Sequence, residues 1–431
     1  MMTYKDRLQK AIPGGSHTYS RGDDQFPENA PQILKCGKGA YTYDVDNNKY
    51  LDYGMALRAV NLGYANEEVN RAAWKQIECG NNLTRASLIE LEAAELLIDL
   101  IDSVDMVKFT KNGSTATTAA IKLSKAYTGR SLIARCEEHP FFSYDDWFIG
   151  STVMNKGVSE KDIKNTNLFS YNDIESLKLL FKEHPNKIAC VILEPSASEH
   201  PKDNFLQKVK QLCKENGTVF ILDEMITGFR WHMKGAQHYY NVEADLCTFG
   251  KAMANGFSVA AVAGKKEIME LGSIEFKGRE RLFLLSTTHG AEMSGLGAFV
   301  ETMRYMQKNN VVEHIWDYGK KLINILNETA KEFGVERSFV AGGIECSPYY
   351  LTFDKNGENS LGLRTLFAQE MIKNGVLMPW IALSYAHGDK ELELTKKALE
   401  SSFKVYKKAV DEGYEKYLIG DVIKPVFRKY N

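Results

Sequence analysis

The sequence lacks the patterns that mark several large classes of protein. Its seven cysteines are scattered over 431 residues without a CxxC pair, and its nine histidines show neither HxxxH nor HExxH spacing. We therefore expect neither a structural zinc site nor a disulfide framework, and we predict no metal. No apolar run approaches the ~20 residues that a membrane-spanning helix needs. Internal repeats and low-complexity tracts are also missing.

Charge and nucleotide motifs are equally sparse. The formal net charge is -2, which gives no basic field for nucleic acid. Neither GxxxxGK[ST] nor a strand-linked GxGxxG occurs, so a nucleotide-binding interpretation lacks its fingerprint. The first 15 residues carry charges but no apolar core of a targeting segment. These deficits predict a cytoplasmic protein without a nucleic-acid or membrane partner.

The chain has a clear alternation of strand and helix patterns. At 431 residues it is too long for one compact core, and we expect two or three lobes. Across residues 104–264, apolar runs of strand length alternate with helical patterns, which predicts a mostly parallel, doubly wound sheet. Ligands of such sheets bind at the carboxyl ends of the strands. Polar residues that directly follow these strands are therefore the first candidates for a site.

An acid and a lysine follow two of these strands. Asp223 ends the run TVFILDE, and Lys251 follows a short strand 28 positions later (251 minus 223) in ADLCTFGKAMAN. The acid either caps the next turn or pairs with the protonated ring nitrogen of pyridoxal phosphate, which keeps the ring an electron sink. The lysine is either a solvated surface residue or a partly desolvated amine that forms a Schiff base. The combination of the two residues favours the covalent interpretation.

Residues 104–129 contain a strand, a Gly-Ser-Thr turn and a helix. The free N–H groups and the dipole of a helix start create an anion site, to which Ser114 and Thr115 add hydroxyl groups. The alternative is an ordinary helix cap with nothing bound. A further buried-strand run ends in an acid at Glu194. We expect Ser114, Glu194 and Asp223 to converge at one edge of the sheet.

Three further features have two interpretations each. The aromatic-rich residues 141–149 are typical of core packing, or of a ring stacked on a flat cofactor. The turn-rich residues 13–21 indicate a surface loop, or a loop whose Arg21 binds a substrate carboxylate. Arg58 is a second candidate anion contact, with a buried ion pair as the alternative.

The remaining segments predict secondary structure outside the large sheet. We expect a hairpin over 39–53, a strand that leads through a hydroxyl-rich loop into a helix over 282–297, a long helix or helix pair over 303–333, a helix over 363–374, short strands within 376–385 and a charged helix from Lys390. His289 in the hydroxyl-rich loop is interpreted as a satisfied loop histidine.

As a set, these segments resemble the class III (fold-type I) pyridoxal-phosphate aminotransferases, and among them the glutamate-1-semialdehyde 2,1-aminomutases. The likeness covers nearly the whole chain, through the motifs PGGSHTYSR, GAYTYDVDNNKYLDY, KNGSTATTAAIKLSKAYTGR, ILDEMITGFR, DLCTFGKAMANGFSVAAVAG and STTHGAE. It implies an α/β, fold-type I transferase with a large domain at 61–305 built on a mostly parallel sheet. A smaller α+β C-terminal domain at 306–431 and an N-terminal segment at 1–60 that packs with it complete the expected organisation.

The resemblance also implies roles for individual residues. Lys251 links covalently to the cofactor, pyridoxal 5'-phosphate, and shuttles the proton, while Asp223 pairs with the pyridine nitrogen. Ser114 and Thr115 contact the cofactor phosphate, Glu194 contacts the cofactor, and Phe141 stacks on its ring face. Thr288 contacts the phosphate in a neighbouring subunit, and Arg21 binds the substrate carboxylate. The role of Thr288 implies a homodimer. The family's Tyr-His-Gly motif is absent near Phe141, where FFSYDDW stands instead.

The implied function is transfer of an amino group between a donor and a small keto acid, aldehyde or keto sugar. The motif EEHPFFSYDDWFIG and the ending KPVFRKYN resemble an aminomutase-like subgroup of surface-sugar biosynthesis. Residues 375–387, GVLMPWIALSYAH, lack the glutamate with which the aminomutases contact their substrate, and this favours an intermolecular transaminase. Two alternatives stay open: a true aminomutase that makes 5-aminolevulinate, and a catalytically silent binding protein on the same fold.

Overall fold

The architecture comes from a computed structural model that describes residues 2–275 and 277–431. Its contacts divide the chain into two compact units. Unit 1 contains Met1–Asn66 and Glu313–Arg428, and unit 2 contains Glu67–Val312 and Lys429–Asn431. The first 66 residues thus belong with the C-terminal part of the chain, and the intervening residues form a unit of their own.

The α-helices are α1 Tyr4–Ala11, α2 Met55–Arg58, α3 Glu67–Glu78, α4 Leu88–Leu100, α5 Gly113–Thr128, α6 Asp146–Ile149, α7 Glu160–Asn165, α8 Ile174–Glu183, α9 Phe205–Glu215, α10 Gly235–Tyr239, α11 Lys266–Met269, α12 Met293–Lys308, α13 Val311–Glu332, α14 Leu361–Lys373 and α15 Asp389–Glu412. The strands are β1 Leu34–Lys38, β2 Tyr41–Asp44, β3 Lys49–Asp52, β4 Met106–Thr110, β5 Leu132–Cys136, β6 Thr166–Phe169, β7 Ile188–Leu193, β8 Val219–Asp223, β9 Leu246–Phe249, β10 Ala260–Gly264, β11 Phe339–Ile344, β12 Ser347–Thr352 and β13 Val376–Leu377.

Unit 2 is built on a seven-stranded sheet in the order β4-β10-β9-β8-β7-β5-β6. Strand β10 is antiparallel to both of its neighbours, and the other pairings are parallel. Every residue of β7, β8, β9 and β10 is buried, as expected for strands covered on both faces. The prediction of an α/β fold with a mostly parallel sheet is confirmed. The expected hairpin over 39–53 is present as the antiparallel pair β2 and β3 in unit 1.

A tail strap, residues 417–428, crosses unit 1. The Ile423 N–H donates to Thr365 Oγ1 at 3.1 Å, which fixes the strap to α14. Further on, the Lys424 N–H donates to the Asp24 carbonyl at 2.9 Å, and Arg428 Nη2 lies 2.5 Å from Asp24 Oδ2. The strap therefore ties α14 to the segment of the chain that carries Arg21.

One strand prediction was wrong, and another was confirmed only in part. Residues 282–285 form no strand, because they join no ladder: the Leu282 N–H donates instead to Leu271 O at 3.1 Å. After β13, residues 378–385 also form no strand. The Ala382 N–H donates to Tyr53 O and the Tyr385 N–H to Asn61 O, so these groups bond to separated points rather than to a ladder.

The predicted long helix or helix pair over 303–333 is the pair α12 and α13. In the described part of the chain, no helix has both the length and the apolar character that a membrane crossing needs.

Candidate active site

The predicted edge of the large sheet gathers the polar residues that follow its parallel strands. Ser114 lies in the first turn of α5 just beyond β4, and Glu194 directly follows β7. Asp223 is the last residue of β8, and Lys251 stands two residues beyond β9. Because these strands run in one direction, all four residues lie at the carboxyl edge of the sheet, as the sequence predicts.

Asp223 is a buried acid with one oxygen already engaged. It is 2% exposed, and its Oδ1 accepts hydrogen bonds from the Met225 N–H at 3.0 Å and from Thr248 Oγ1 at 2.9 Å. Burial raises the pKa of Asp223 to about 6, and the charge of Lys251 and the two hydrogen bonds oppose that rise. No donor among the described residues bonds to Oδ2, which therefore is available to a ligand's N–H.

Lys251 begins a tight turn directly after β9. It has a φ of +43°, an uncommon value for a residue with a side chain, and it opens a 3₁₀ turn over Lys251–Ala254. Its side chain is half-buried, and its charge acts on Asp223. Strained backbone at a strand end is typical of residues held in a set position for function.

Met225 packs between the elements that carry these residues. A Cβ added at Gly113 would lie 2.8 Å from Met225 Sδ, and one added at Gly250 would lie 2.6 Å from the same atom. Glycine is therefore required at both positions for this packing. The contact brings the start of α5, the end of β8 and the Lys251 turn together around one side chain.

The start of α5 has the free donors of an anion site. Asn112 caps the helix, and its Oδ1 accepts from the Thr115 N–H at 2.9 Å and from Thr115 Oγ1 at 3.0 Å. Ser114 Oγ accepts from the Tyr144 N–H at 3.1 Å, which leaves the hydroxyl proton of Ser114 for another acceptor. Within the described residues the N–H groups of Gly113 and Ser114 have no acceptor, and the dipole of a 16-residue helix adds to their effect.

Glu194 is held by a histidine that the sequence analysis did not single out. His139 is 1% exposed, and its Nδ1 accepts a hydrogen bond from the Glu194 N–H at 3.0 Å. Burial, aided by the charge of Arg135, lowers the pKa of His139 to about 3, so the ring is neutral. Its Nε2 has no partner among the described residues. It lies three residues after β5, whereas Glu194 directly follows its strand and Asp223 ends its own, so its signal in the sequence is weaker.

The other two predicted cofactor contacts lie on more exposed loops. Phe141 is 48% exposed and packs edge-on against Phe148, with 5.6 Å between ring centroids. Thr288 is exposed, and its carbonyl accepts from Asn82 Nδ2 at 3.0 Å. The roles of Phe141 and Thr288 stay predictions. His289 lies next to Thr288, with its Nδ1 3.4 Å from Asn82 Nδ2.

Arg21 lies within unit 1, where it lines a cavity of about 470 Å³. Its side chain is exposed, and among the described residues no carboxylate lies within ion-pair distance of it. Part of the cavity wall is α2, a single left-handed turn in which four successive residues have φ between +39° and +67°. Such a conformation costs roughly 1–2 kcal/mol per residue.

A buried acid holds this turn in place. Asp52 Oδ1 accepts from the Gly54 N–H at 2.6 Å, and Asp52 Oδ2 accepts from Tyr64 Oη at 2.7 Å. Tyr64 Oη in turn accepts from the Ala56 N–H at 2.9 Å. Burial followed by the charge of Asp52 raises the pKa of Tyr64, so the phenol keeps its proton for this bond. Arg58, at the end of the turn, donates to Ile381 O at 3.5 Å.

The sheet edge fits pyridoxal 5'-phosphate. Asp223 Oδ2 suits a protonated pyridine nitrogen, the start of α5 suits a phosphate, and Lys251 supplies an amine for the aldehyde. The orphan donors of Gly113 and Ser114 are the observation that decides the fit. The first N–H groups of a helix have no partner within the helix, and a ligand or water satisfies them.

Known proteins match this chain over most of its length. The sequence profile of the family described as aminotransferase class-III matches residues 24–344. A glutamate-1-semialdehyde 2,1-aminomutase of Francisella philomiragia subsp. philomiragia is 32% identical over 416 residues, which cover 91% of this chain and 95% of the relative. Another, from Thermosipho africanus, is 40% identical over 276 residues, which cover 61% of this chain and 65% of the relative.

Solved structures agree with this result. The FumI protein of Sphingopyxis sp. MTA144, in its PLP internal aldimine form, superposes with a TM-score of 0.86 at 25% identity and covers 95% of this chain and 97% of its own. A glutamate-1-semialdehyde aminomutase from Pseudomonas aeruginosa PAO1 superposes with a TM-score of 0.80 at 18% identity, over 93% of each chain. The second likeness concerns the fold alone.

Proposed function

Because the chain belongs to the class III aminotransferase family, we propose that it moves an amino group between an amino donor and a small keto acid, aldehyde or keto sugar. The predictions of the family, of fold-type I and of an enzyme that depends on pyridoxal 5'-phosphate are confirmed. The silent binding protein considered above is thereby set aside. The observation that supports the transfer reaction most directly is the placement of Lys251 and buried Asp223 at the carboxyl ends of the adjacent strands β9 and β8.

Each residue of the edge has a role in this proposal. When bound, pyridoxal phosphate supplies an electron-withdrawing ring that stabilises the negative charge left when the donor's α-carbon loses a proton. Asp223 keeps the ring nitrogen protonated, and a bound cation beside Asp223 lowers the pKa of this acid, so that it is ionised. The first turn of α5, with Ser114 and Thr115, holds the phosphate. Glu194 and Phe141 border the ring.

Lys251 is the group that moves the proton. With the cofactor bound, its free amine would take the proton that the donor's α-carbon loses and hold it for return, and the first half of the transfer would consume one water as the keto product leaves. The position after β9 fixes the amine relative to Asp223, since both groups are carried by adjacent strands of one sheet. The second half repeats these movements in reverse with the carbonyl acceptor.

Two residues lie outside this edge in the proposal. Arg21 binds the substrate carboxylate, because it offers a planar pair of donors that no carboxylate of the described residues occupies. Thr288, on an exposed loop, reaches the phosphate in a second copy of the chain, so the active form is a homodimer. The domains of the enzyme are the large domain, the small domain and the N-terminal segment expected from the sequence.

Lys251→Ala tests the proposal, with Lys266→Ala as the matched control on an exposed lysine of the same unit. After loading with pyridoxal phosphate and reduction with borohydride, we expect the cofactor on the peptide that contains Lys251 in the wild type and the control. The Lys251→Ala variant should lose this label and at least about a thousandfold of its amino-transfer rate. A reduced cofactor on a different lysine would contradict the assignment.

The second candidate is a glutamate-1-semialdehyde 2,1-aminomutase, which the names of several relatives favour. Against it stands residue 380, a tryptophan in a segment that lacks the glutamate of the aminomutases. An aminomutase would form 5-aminolevulinate from glutamate-1-semialdehyde without a second substrate. A transaminase would instead convert its cofactor to the amine form with one donor and stop until an acceptor is added. The association with surface-sugar biosynthesis fits the transaminase, with a keto sugar as its acceptor.

A further inference from the structure

The cavity that Arg21 lines has one basic side chain that bonds to no described residue. Three basic side chains border the cavity: Lys5, Arg21 and Lys35. Lys5 Nζ lies 3.4 Å from Glu28 Oε2, and Lys35 Nζ donates to Asn47 Oδ1 at 3.3 Å. The guanidinium of Arg21 alone among the three charged groups has neither a hydrogen bond nor an ion pair with a described residue. It is therefore the most available site for a carboxylate in the cavity.

The acids of the cavity are committed to protein donors. Asp52 is 3% exposed and receives the two hydrogen bonds that hold the left-handed turn. Asp23 Oδ2 accepts from Gln9 Nε2 at 3.0 Å, and Glu28 pairs with Lys5. Each of these acids thus already accepts a hydrogen bond from a described donor, which weakens its competition for a ligand's ammonium group.

Much of the remaining wall is apolar, beside the polar side chains of Ser16, Gln32, Thr42 and Tyr64. Phe26 and Trp380 form an aromatic pair with 6.2 Å between ring centroids, and Leu8, Ile33 and Leu57 add aliphatic surface. Trp380 Nε1 donates to the Gly54 carbonyl at 3.1 Å. Because this bond satisfies the polar atom of the indole, the ring offers only carbon faces to a ligand.

We propose that this cavity binds a monocarboxylate whose remaining body is apolar, with Arg21 on the carboxylate and the Phe26–Trp380 pair on the body. The inference rests on the proposed function, because it names the substrate class of the same enzyme. It makes one of the two substrates an amphipathic acid rather than a dicarboxylic acid or a keto sugar. About 470 Å³ lies within the usual range of small-molecule cavities, about 300–1,000 Å³.

Calorimetric binding to the pyridoxal-phosphate-loaded enzyme tests this substrate class with three unreactive probes. We expect 4-phenylbutyrate to bind at least about tenfold more tightly than glutarate and than 4-phenylbutanamide. Glutarate replaces the apolar body with a second charge, and 4-phenylbutanamide removes the charge that Arg21 binds. The probes carry neither an amine nor a ketone. Their binding therefore reports on the cavity even if the enzyme transfers no amino group, which would count against the proposed function alone.

Variants locate the binding. Arg21→Gln and Trp380→Ala should each weaken 4-phenylbutyrate at least about tenfold, whereas Arg7→Gln, a matched control on exposed α1, should not change its affinity. Lys5→Gln should leave the affinity within twofold, because Glu28 already engages this lysine. Equal losses in Lys5→Gln and Arg21→Gln, tighter binding of glutarate, or no binding of 4-phenylbutyrate to the wild type would each overturn the proposal.

Discussion

The sheet edge of unit 2 and the Arg21 cavity of unit 1 are built in opposite ways. At the edge, Asp223 is 2% exposed and belongs to a fully buried strand. Arg21 is exposed and lies in a short 3₁₀ turn, in a cavity whose walls come from distant parts of the chain. A reacting group needs fixed geometry and little water, whereas a group that recognises a carboxylate must stay reachable. The two regions divide these demands.

The two regions also differ in which groups their hydrogen bonds engage. At the edge, neighbouring acids have separate tasks: Asp223 keeps one oxygen available, whereas Glu224 accepts from the Ala236 N–H at 2.6 Å, the Gln237 N–H at 3.1 Å and Thr227 Oγ1 at 2.9 Å. Glu224 thus fixes the loop that follows β8. Around the cavity, hydrogen bonds hold backbone segments and leave the arginine unengaged.

The largest expected effect is a loss of amino-transfer rate that should occur on substitution of Asp223 but not of Glu224. Asp223→Asn should lower the amino-transfer rate by about 10²–10⁴-fold, because a neutral amide cannot keep the ring nitrogen protonated. Glu224→Gln should retain most of the rate but unfold more readily, by about 1–3 kcal/mol, since its amide replaces one acceptor with a donor. Kinetics and urea unfolding of both variants measure the split. Equal losses of rate would remove the distinction between the two acids.

A smaller effect is expected at the tail strap. Arg428→Ala breaks the ion pair with Asp24, three residues from Arg21, and should raise KM for the carboxylate substrate about three- to tenfold with kcat unchanged. We expect only a moderate change in KM because Arg428 and Asp24 are both partly exposed, which limits the strength of their ion pair. Lys429→Ala, at the exposed next residue, is the control. A fall in kcat or in the visible absorbance of the bound cofactor would show that the strap acts on the sheet edge instead.

The effect that is smallest near neutral pH concerns acid and unfolding. Burial lowers the pKa of His139 to about 3 and that of His387 to about 4, whereas an unfolded histidine titrates near 6.5. Below pH 6.5 the unfolded chain takes up protons that the folded chain refuses, so stability should fall as the pH drops from 6.5 towards 4. Each histidine contributes up to about 1.4 kcal/mol per pH unit.

The variant His139→Asn isolates the contribution of the edge, because an asparagine oxygen still accepts the Glu194 N–H. Between pH 6.5 and 4, the free energy of unfolding of this variant should depend less steeply on pH than that of the wild type, by the uptake of about one proton on unfolding. Urea unfolding at several pH values measures the slope. His17→Asn, at an exposed histidine, is the control and should keep the wild-type slope. An unchanged slope in His139→Asn would show that this ring is not the neutral group proposed.

The sequence predicted the edge well and the cavity poorly, for one physical reason. Asp223, Glu194 and Lys251 each follow a contiguous apolar run, so strand pattern and site position are read from the same few residues. The cavity wall at α2 has no such signal. Its left-handed turn is formed by MALR, without the glycine or asparagine that usually marks positive φ.

Errors arose where an apolar pattern did not decide burial. Residues 282–285 have strand composition, yet neighbouring leucine and phenylalanine differ widely in exposure, and no partner strand pairs with them. His139 was missed because it follows β5 by three residues rather than one. Its task depends on Glu194, which lies 55 residues later in the chain. Such tertiary partners are not visible in local periodicity.

The tail strap has a consequence for the order in which the protein is made. Unit 2 is continuous from Glu67 to Val312 and can fold as soon as it leaves the ribosome, whereas the first 66 residues need partners from Glu313–Arg428. Arg21 precedes Glu67–Val312 in the chain, yet the bonds from Lys424 and Arg428 to Asp24 can form only after that whole stretch has been synthesised. The residues of the sheet edge can therefore be in place before the surroundings of Arg21 are complete.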